Sequence, residues 1–364
     1  MKKHLTFLLT LFLAACTAAL FLSFIVFKII YPAPKEQAAS KSSQTLGLAD
    51  EPAIQKVKEP PSPLKFLFFG DIMLDRHVKE VMNKNGGVDY LLHNLAGEEN
   101  RFFQGIDLIS ANLEGAVIEN GAHFAPEMAY DFAFDPADVA VLKNYNFNFF
   151  TISNNHILDQ GQSGFTETQV NLDKLGFDYT GCPDKKVDNC SLKIVDVNGK
   201  KIAMLGYSMV YGSLDEEKVT AQITEARKSS DLVIVNIHWG AEYESKHNNI
   251  QEKLAHLMID SGSDLIIGHH PHVVQDVEIY KNKPIFYSLG NFIFDQYFSR
   301  ETQDGLGVGV TWQSDSLEFN LFPFYSEYSK AYLMTGKRQT EWLEWLSEIS
   351  DLADVKDGVI VLEQ

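Results

Sequence analysis

Five short runs of this sequence are apolar and β-rich with little interruption, and each ends on a residue able to bind a cation. Residues 64–69 lead into Gly70-Asp71, residues 106–111 into Asn112-Leu113-Glu114, and residues 146–152 into Ser153-Asn154-Asn155-His156. Residues 232–237 lead into His238-Trp239-Gly240, and residues 265–267 into Gly268-His269-His270-Pro271-His272. Such runs read as strands buried on both faces, which is the situation of parallel strands covered by helices. Residues 166–175, 214–228 and 250–261 have helical period and lie between several of the runs, so strand and helix alternate in a βαβ pattern. Val197-Asn198-Gly199-Lys200 and Tyr280-Lys281-Asn282-Lys283 break the alternation with hairpin signals, which predicts a mixed sheet. Residues 305–322 read as a last pair of strands, and residues 340–349 as a terminal amphipathic helix.

The N-terminus has a different character. After Met1-Lys2-Lys3-His4 no formal charge occurs from Leu5 to Phe27, a run that would reach about 35 Å as a helix at about 1.5 Å per residue. Lys2 and Lys3 place residues 1–4 in the cytoplasm and everything beyond the run outside it. The expected organisation is a transmembrane signal anchor at 5–27, a flexible linker at 28–63, a main domain at 64–322 and a C-terminal helical extension at 323–364. The linker assignment follows from its Pro, Ala, Ser, Lys and Glu, which bury too little apolar surface to order a chain. Two alternatives to an uncleaved anchor stand. A cleaved signal peptide has a shorter apolar region than this one, and Leu13-Ala14-Ala15-Cys16 looks like a lipobox even though the apolar run continues past Cys16. Cys182 and Cys190 remain for the soluble part, where an oxidising compartment favours a disulfide over two free thiols. The formal net charge of -18 argues against a nucleic-acid partner, because phosphate binding needs an excess of Lys and Arg.

The ends of the five runs carry the chemistry. Taken singly, each has a plain alternative: Asp71 as a helix N-cap, Glu114 as a loop acid, Asn155 and His156 as a polar helix start, and His238 as a core histidine. Three imidazoles within His269-His270-Pro271-His272 are harder to explain by packing, and neutral imidazole is the commonest metal ligand. Together, five of the 11 histidines, two carboxylates and an asparagine converge on one sheet edge. The carboxyl ends of strands are where open α/β sheets bind ligands. Carboxylate, amide and imidazole without thiolate suit a divalent Mn, Zn or Fe, and a bridging acid such as Glu114 would hold two ions about 3.5–4 Å apart.

Several motifs, in this order, resemble the CapA family of bacterial poly-gamma-glutamate capsule synthesis proteins. They are Gly70-Asp71-Ile72-Met73-Leu74, Asn112-Leu113-Glu114-Gly115, Asn154-Asn155-His156, His238-Trp239-Gly240-Ala241-Glu242-Tyr243, His269-His270-Pro271-His272 and Tyr287 to Gln296. The resemblance covers roughly residues 64–320. That family is in turn similar to the calcineurin-like metallophosphatases, which implies a four-layer sandwich of two mixed sheets flanked by helices. By position, Asp71 and His272 would bind a first ion, Glu114 would bridge, and Asn155, His238 and His270 would hold a second. His156 would be the general acid, oriented by Asp159. One departure stands out: Met73 occupies a place usually filled by a histidine ligand, and a thioether is a poor donor for Mn. The resemblance implies a role outside the membrane on an anionic envelope polymer such as poly-gamma-glutamate, alongside other membrane subunits of a capsule machine. A metal-dependent hydrolase of an envelope polymer and a non-catalytic metal-binding scaffold are the other readings.

Overall fold

The computed structural model describes residues 62–363 except 127, 129, 314, 315, 351, 353, 354, 356 and 357. The expected anchor at 5–27, the Cys16 lipobox and nearly all of the linker lie outside the described residues. Among the described residues no helix is long and apolar enough to cross a membrane.

The chain opens with β1 (Leu64–Ile72), α1 (Arg76–Asn85), α2 (Val88–Ala96), β2 (Leu108–Leu113), β3 (Ala116–Val117) and β4 (Ala133–Phe134). There follow α3 (Pro136–Val141), β5 (Phe149–Thr151), α4 (Gly161–Leu175), β6 (Asp178–Thr180), β7 (Leu192–Val197) and β8 (Lys200–Ser208). The next stretch holds α5 (Glu216–Ser229), β9 (Leu232–His238), α6 (Asn249–Asp260), β10 (Leu265–His269), β11 (Val277–Tyr280) and β12 (Lys283–Phe286). It closes with β13 (Asn291–Ile293), β14 (Asp304–Gln313), β15 (Ser316–Glu327), β16 (Lys330–Leu333), α7 (Gly336–Ser350) and β17 (Val359–Glu363).

Among the described residues two large sheets form. The first runs β16-β15-β14-β1-β2-β5-β6, with β13 beside β1 and β17 beside β15; the second runs β11-β12-β10-β9-β8-β7. Both are mixed; the hairpin signals account for the second, where β7–β8 and β11–β12 are antiparallel, and β14 to β17 make the first mixed. At the β7–β8 turn Asn198 and Gly199 have φ of 53° and 82°, and at the β11–β12 turn Lys281 and Asn282 have 50° and 62°. Two consecutive positive φ values are what a two-residue type I′ turn requires, which is why Asn-Gly marks the first so plainly.

Alternation along the strands sets the layers. Leu67 and Phe69 of β1 join a cluster with Val78 and Met82 of α1 and Leu91 and Leu95 of α2, while Leu64, Phe66 and Phe68 share one with Met204, Ile234 and Ile267 of the second sheet. Ala203, Leu205, Val233 and Val235 turn the other way, onto Val219 and Ile223 of α5 and Leu254 and Met258 of α6. Successive side chains on a strand point to opposite faces, so both sheets are buried twice over in the order helix, sheet, sheet, helix. This is the expected four-layer sandwich. Each fully buried Leu or Phe contributes about 1.5–3 kcal/mol, so the continuous apolar runs are the main cohesive force.

The C-terminal segment corrects the sequence reading. The boundary expected between 322 and 323 falls inside β15, and beyond it β16 and β17 both pair antiparallel with β15. The helix expected at 340–349 is present as α7, and β16 before it and β17 after it extend the first sheet. Their strand signal is short, and only pairing with β15 reveals it.

Candidate metal centre

The ligand-bearing ends of both sheets meet at one edge. In the first sheet Asp71 pairs in register with Asn112 on one side and Asn291 on the other, so the acid sits between two parallel neighbours. Gly70 makes this possible, because a Cβ there would lie 1.8 Å from the Gly290 carbonyl oxygen. In the second sheet His238 pairs in register with His269. Gly268 is equally constrained, a Cβ there falling 1.9 Å from the Tyr287 oxygen. After β10 the chain turns sharply, with φ of 97° at His270 and 58° at His272. Positive φ is costly for residues other than glycine and persists only where surrounding contacts impose it.

Asn112 joins the two halves. Its Nδ2 lies 2.8 Å from Asp71 Oδ1, 3.2 Å from Glu114 Oε2 and 3.3 Å from His238 Nδ1. Its own carbonyl oxygen accepts from Asn154 Nδ2 at 3.0 Å. His238 Nε2 is 2.7 Å from Asn155 Oδ1, and the His238 and His270 ring centroids are 4.8 Å apart. His272 Nδ1 lies 3.6 Å from Asp71 Oδ2 and 2.9 Å from Asn291 Oδ1, while its Nε2 is 3.8 Å from Glu114 Oε1. All six residues expected as ligands, Asp71, Glu114, Asn155, His238, His270 and His272, are therefore brought into one constellation. Candidate ligand atoms of Asp71, Glu114 and His272 lie within 4.8 Å of one another, as do those of Glu242, His270 and His272.

His156 stands beside this group. Its Nδ1 is 2.7 Å from Asp159 Oδ2, which also accepts the Phe132 N–H at 2.9 Å, and its ring stacks on Phe132 at 4.2 Å. Nε2 then faces Glu114 Oε1 at 3.8 Å. The pair opens on a cleft of about 770 Å³ lined by Arg76, Tyr130, Tyr211, Glu242, Tyr243 and Phe298 among others. Arg76 is ion-paired with Asp295 and lies over the Phe132 ring at 4.9 Å.

The electrostatics suit a cation. Burial, then the charges of Asp71, Glu242 and Asp159, push the Glu114 carboxyl well above its usual range. For Asp71 burial pushes upward, but His269, His272 and the Asn112 amide outweigh it and hold the carboxyl low. Burial and neighbouring imidazoles push His238 well below its ordinary value, and burial with His272 pushes His270 down to about 4. His272 is lowered too, by burial first. These rings are thus neutral near pH 7, the form that ligates metal. Three buried atoms here have no hydrogen-bond partner, Glu114 Oε1, His270 Nδ1 and His269 Nε2, while His269 Nδ1 lies 3.4 Å from Asp71 Oδ1. Buried polar atoms are ordinarily satisfied, so unpartnered carboxylate and imidazole atoms converging from two sheets fit a divalent ion.

Met73 takes no part. It is fully buried in the apolar cluster behind β1, and its sulfur accepts the Asp75 N–H at 3.1 Å. The sequence reading gave no role to Asn112, Asn154 and Asn291, which lie against the expected ligands, and counted His269 among the converging imidazoles without a role, although its Nδ1 is 3.4 Å from Asp71 Oδ1. Two-residue periodicity could have found two of these: Asn112 shares a face with Glu114, and His269 with Ile267.

A family model described as "Bacterial capsule synthesis protein PGA_cap" matches residues 65–296. The chain belongs to this family. Among PGA_cap relatives, "Capsule biosynthesis protein CapA" of Bacillus anthracis is 33% identical over 262 residues, 67% of this chain and 62% of the relative. "PGA biosynthesis protein CapA" of Bacillus subtilis (strain 168) is 33% identical over 278 residues, 71% of this chain and 70% of the relative. The chain thus spans 62% of the length of the first of these curated relatives. Solved structures are more distant. A phosphatase from Mycoplasma pneumoniae is 17% identical, covering 75% of this chain and 92% of its own, with a TM-score of 0.43. A putative 5′-nucleotidase from Staphylococcus aureus is 14% identical, covering 79% of this chain and 58% of its own, also at 0.43. At these TM-scores the assignment of the fold rests on the sheet order and layers themselves.

Proposed function

We propose that this PGA_cap protein is a membrane-anchored, extracytoplasmic component of poly-gamma-glutamate capsule synthesis or processing, with a divalent-metal centre at the shared edge of its two sheets. The relatives' names supply the capsule role, and the uncharged run after Lys2 and Lys3 supplies the anchor. The Cys182–Cys190 disulfide, with Cα atoms 5.2 Å apart, supports an oxidising compartment. Asp71, Glu114 and His272 would hold one ion, and Glu114, Asn155, His238 and His270 a second. Mn, Zn or Fe bound there would act as a Lewis acid and lower the pKa of a coordinated water.

A second reading, a metal-dependent hydrolase of an envelope polymer, draws on one observation: His156 is held by Asp159 and Phe132 at the mouth of the metal cleft. With Nδ1 engaged by Asp159, Nε2 is the nitrogen left to carry a proton to a leaving oxygen or nitrogen. Asp159 fixes that tautomer in the way second carboxylates do for catalytic histidines. Asn112 keeps the two acids apart and oriented, while Phe132 and Phe294 shield the ring faces of His156 and His272 from water. The net charge of -18 works against a polyanion, so contact with poly-gamma-glutamate would depend on the cations of the centre and on Arg76.

The test is an assay of the full-length chain with generic phosphomonoesters, phosphodiesters and γ-glutamyl amides, with and without Mn²⁺, against His156→Ala. Metal-dependent turnover that falls about 100-fold or more in the variant, with metal content retained, is the result expected of a hydrolase. Bound metal without turnover in the wild type would leave the capsule role to a scaffold, in keeping with the burial of Met73. No bound metal at all would sink the centre.

A further inference from the structure

Of the motif His238-Trp239-Gly240-Ala241-Glu242-Tyr243, only His238 is among the residues expected as ligands, although Glu242 lines the cleft and its charge acts on Glu114. Glu242 is exposed, and a solvated loop acid would ordinarily be left free to move. The loop around it is instead fastened at many points. Trp239 N donates to the His269 oxygen at 3.0 Å, and the indole Nε1 donates to the Tyr287 oxygen at 2.9 Å. Tyr243 N donates to the Pro271 oxygen at 2.8 Å, tying the loop to the turn that carries His270 and His272. Gln275 Nε2 reaches the carbonyl oxygens of Glu244 at 2.9 Å and Lys246 at 3.0 Å, and Asp276 accepts the His247 N–H at 2.9 Å. Tyr243 itself is held at φ 65° and Gly240 at 92°, where any Cβ would meet Gln251.

This fastening places a carboxylate over two imidazoles. Candidate ligand atoms of Glu242, His270 and His272 lie within 4.8 Å of one another, and His270 Nδ1 is buried with no hydrogen-bond partner. On the opposite side of the centre, Met73 is withdrawn into the apolar core with its sulfur engaged by Asp75. We infer that Glu242 is a metal ligand of this protein, acting with His270 and His272 and supplying from the second sheet's loop the donor that Met73 does not supply from β1. The inference rests on the metal-centre reading above. Replacing a borderline nitrogen by a hard oxygen also moves the donor set toward Mn²⁺.

The experiment measures Mn²⁺ affinity by titration calorimetry and Mn content per chain by elemental analysis, on full-length wild type, Glu242→Gln and Asp71→Asn. Glu242 is exposed, so its replacement leaves packing intact, and equal melting temperatures in chelator confirm this. Loss of an outer-shell partner already costs about 10–100-fold in metal affinity, so loss of a direct ligand in Glu242→Gln is expected to cost at least about tenfold. Affinity and content unchanged in Glu242→Gln but lost in Asp71→Asn would overturn the inference and leave the metal centre standing. A wild type that binds no Mn²⁺, Zn²⁺ or Fe²⁺ would overturn both.

Discussion

The two sheets bring different chemistry to the same edge. The first contributes Asp71, Asn112, Glu114, Asn154 and Asn155, and most of these already hydrogen-bond to one another through the Asn112 amide. The second contributes His238, His269, His270 and His272; His238 and His272 hydrogen-bond to Asn155 and Asn291, whereas His270 Nδ1 and His269 Nε2 are buried without partners. The acid half is thus held largely by the Asn112 and Asn154 amides, whereas the imidazole half keeps two buried ring nitrogens free of hydrogen bonds. A site of this kind keeps its carboxylates from drifting while leaving its neutral donors open to a cation.

That contrast predicts unequal costs in the metal-free protein. Asn112→Ala leaves the buried Asp71 and Glu114 carboxyl groups without their shared donor and is expected to cost about 3 kcal/mol, the upper end of the usual penalty of about 1–3 kcal/mol for an unsatisfied buried polar group. His270→Asn, which keeps a residue tolerant of positive φ, is expected to cost about 1 kcal/mol or less. Denaturant melts in chelator compare the two, and equal losses would erase the distinction between the halves. In metal the order should reverse, with His270→Asn losing the larger share of ion-dependent stabilisation.

A smaller effect concerns the join between the sheets. The Cys182–Cys190 disulfide closes the connection from β6 of the first sheet to β7 of the second, with a sequence separation of 8. Loop-closure entropy for so short a ring gives about 2–3 kcal/mol, so reduction should lower the unfolding free energy by that amount. No change on reduction would mean that the packing between the sheets alone fixes their relation.

The smallest effect lies at His247, in the loop between β9 and α6. Burial pulls the His247 imidazole down, but the Asp276 hydrogen bond and charge, with Glu278 and Glu252, raise it overall above its ordinary value. A raised folded-state value means the stabilisation is complete below the unfolded value of about 6.5 and fades as pH rises through the folded one. His247→Gln should therefore lose stability at pH 6 relative to wild type, by less than about 1 kcal/mol, and the difference should shrink toward pH 9. A difference that grows with pH would reverse the assignment.

Much of this was legible in the sequence, and for a specific reason. A strand buried on both faces has to be apolar along its length, so the first residue able to bind a cation marks its end; Asp71, His238 and His270 stand at the ends of such strands and were found that way. The Asn198-Gly199 turn was legible because few residues accept its φ values. Less visible was α1, where only Val78 and Met82 of Arg76–Asn85 are buried and the periodic signal is weak. The strands after residue 327 were equally faint, because β16 and β17 gain their meaning only from β15.

What the sequence determined alone was the inventory and its place along the chain: acids and amides at the ends of some strands, imidazoles at the ends of others, and two cysteines between them. Only the tertiary structure decided that the two sets face each other, that Met73 turns into the core, and that the loop bearing Glu242 is fastened above His270 and His272. The reason is that strand periodicity is local, repeating every two residues, whereas the meeting of two sheets depends on packing between residues nearly 200 positions apart, such as Asp71 and His270.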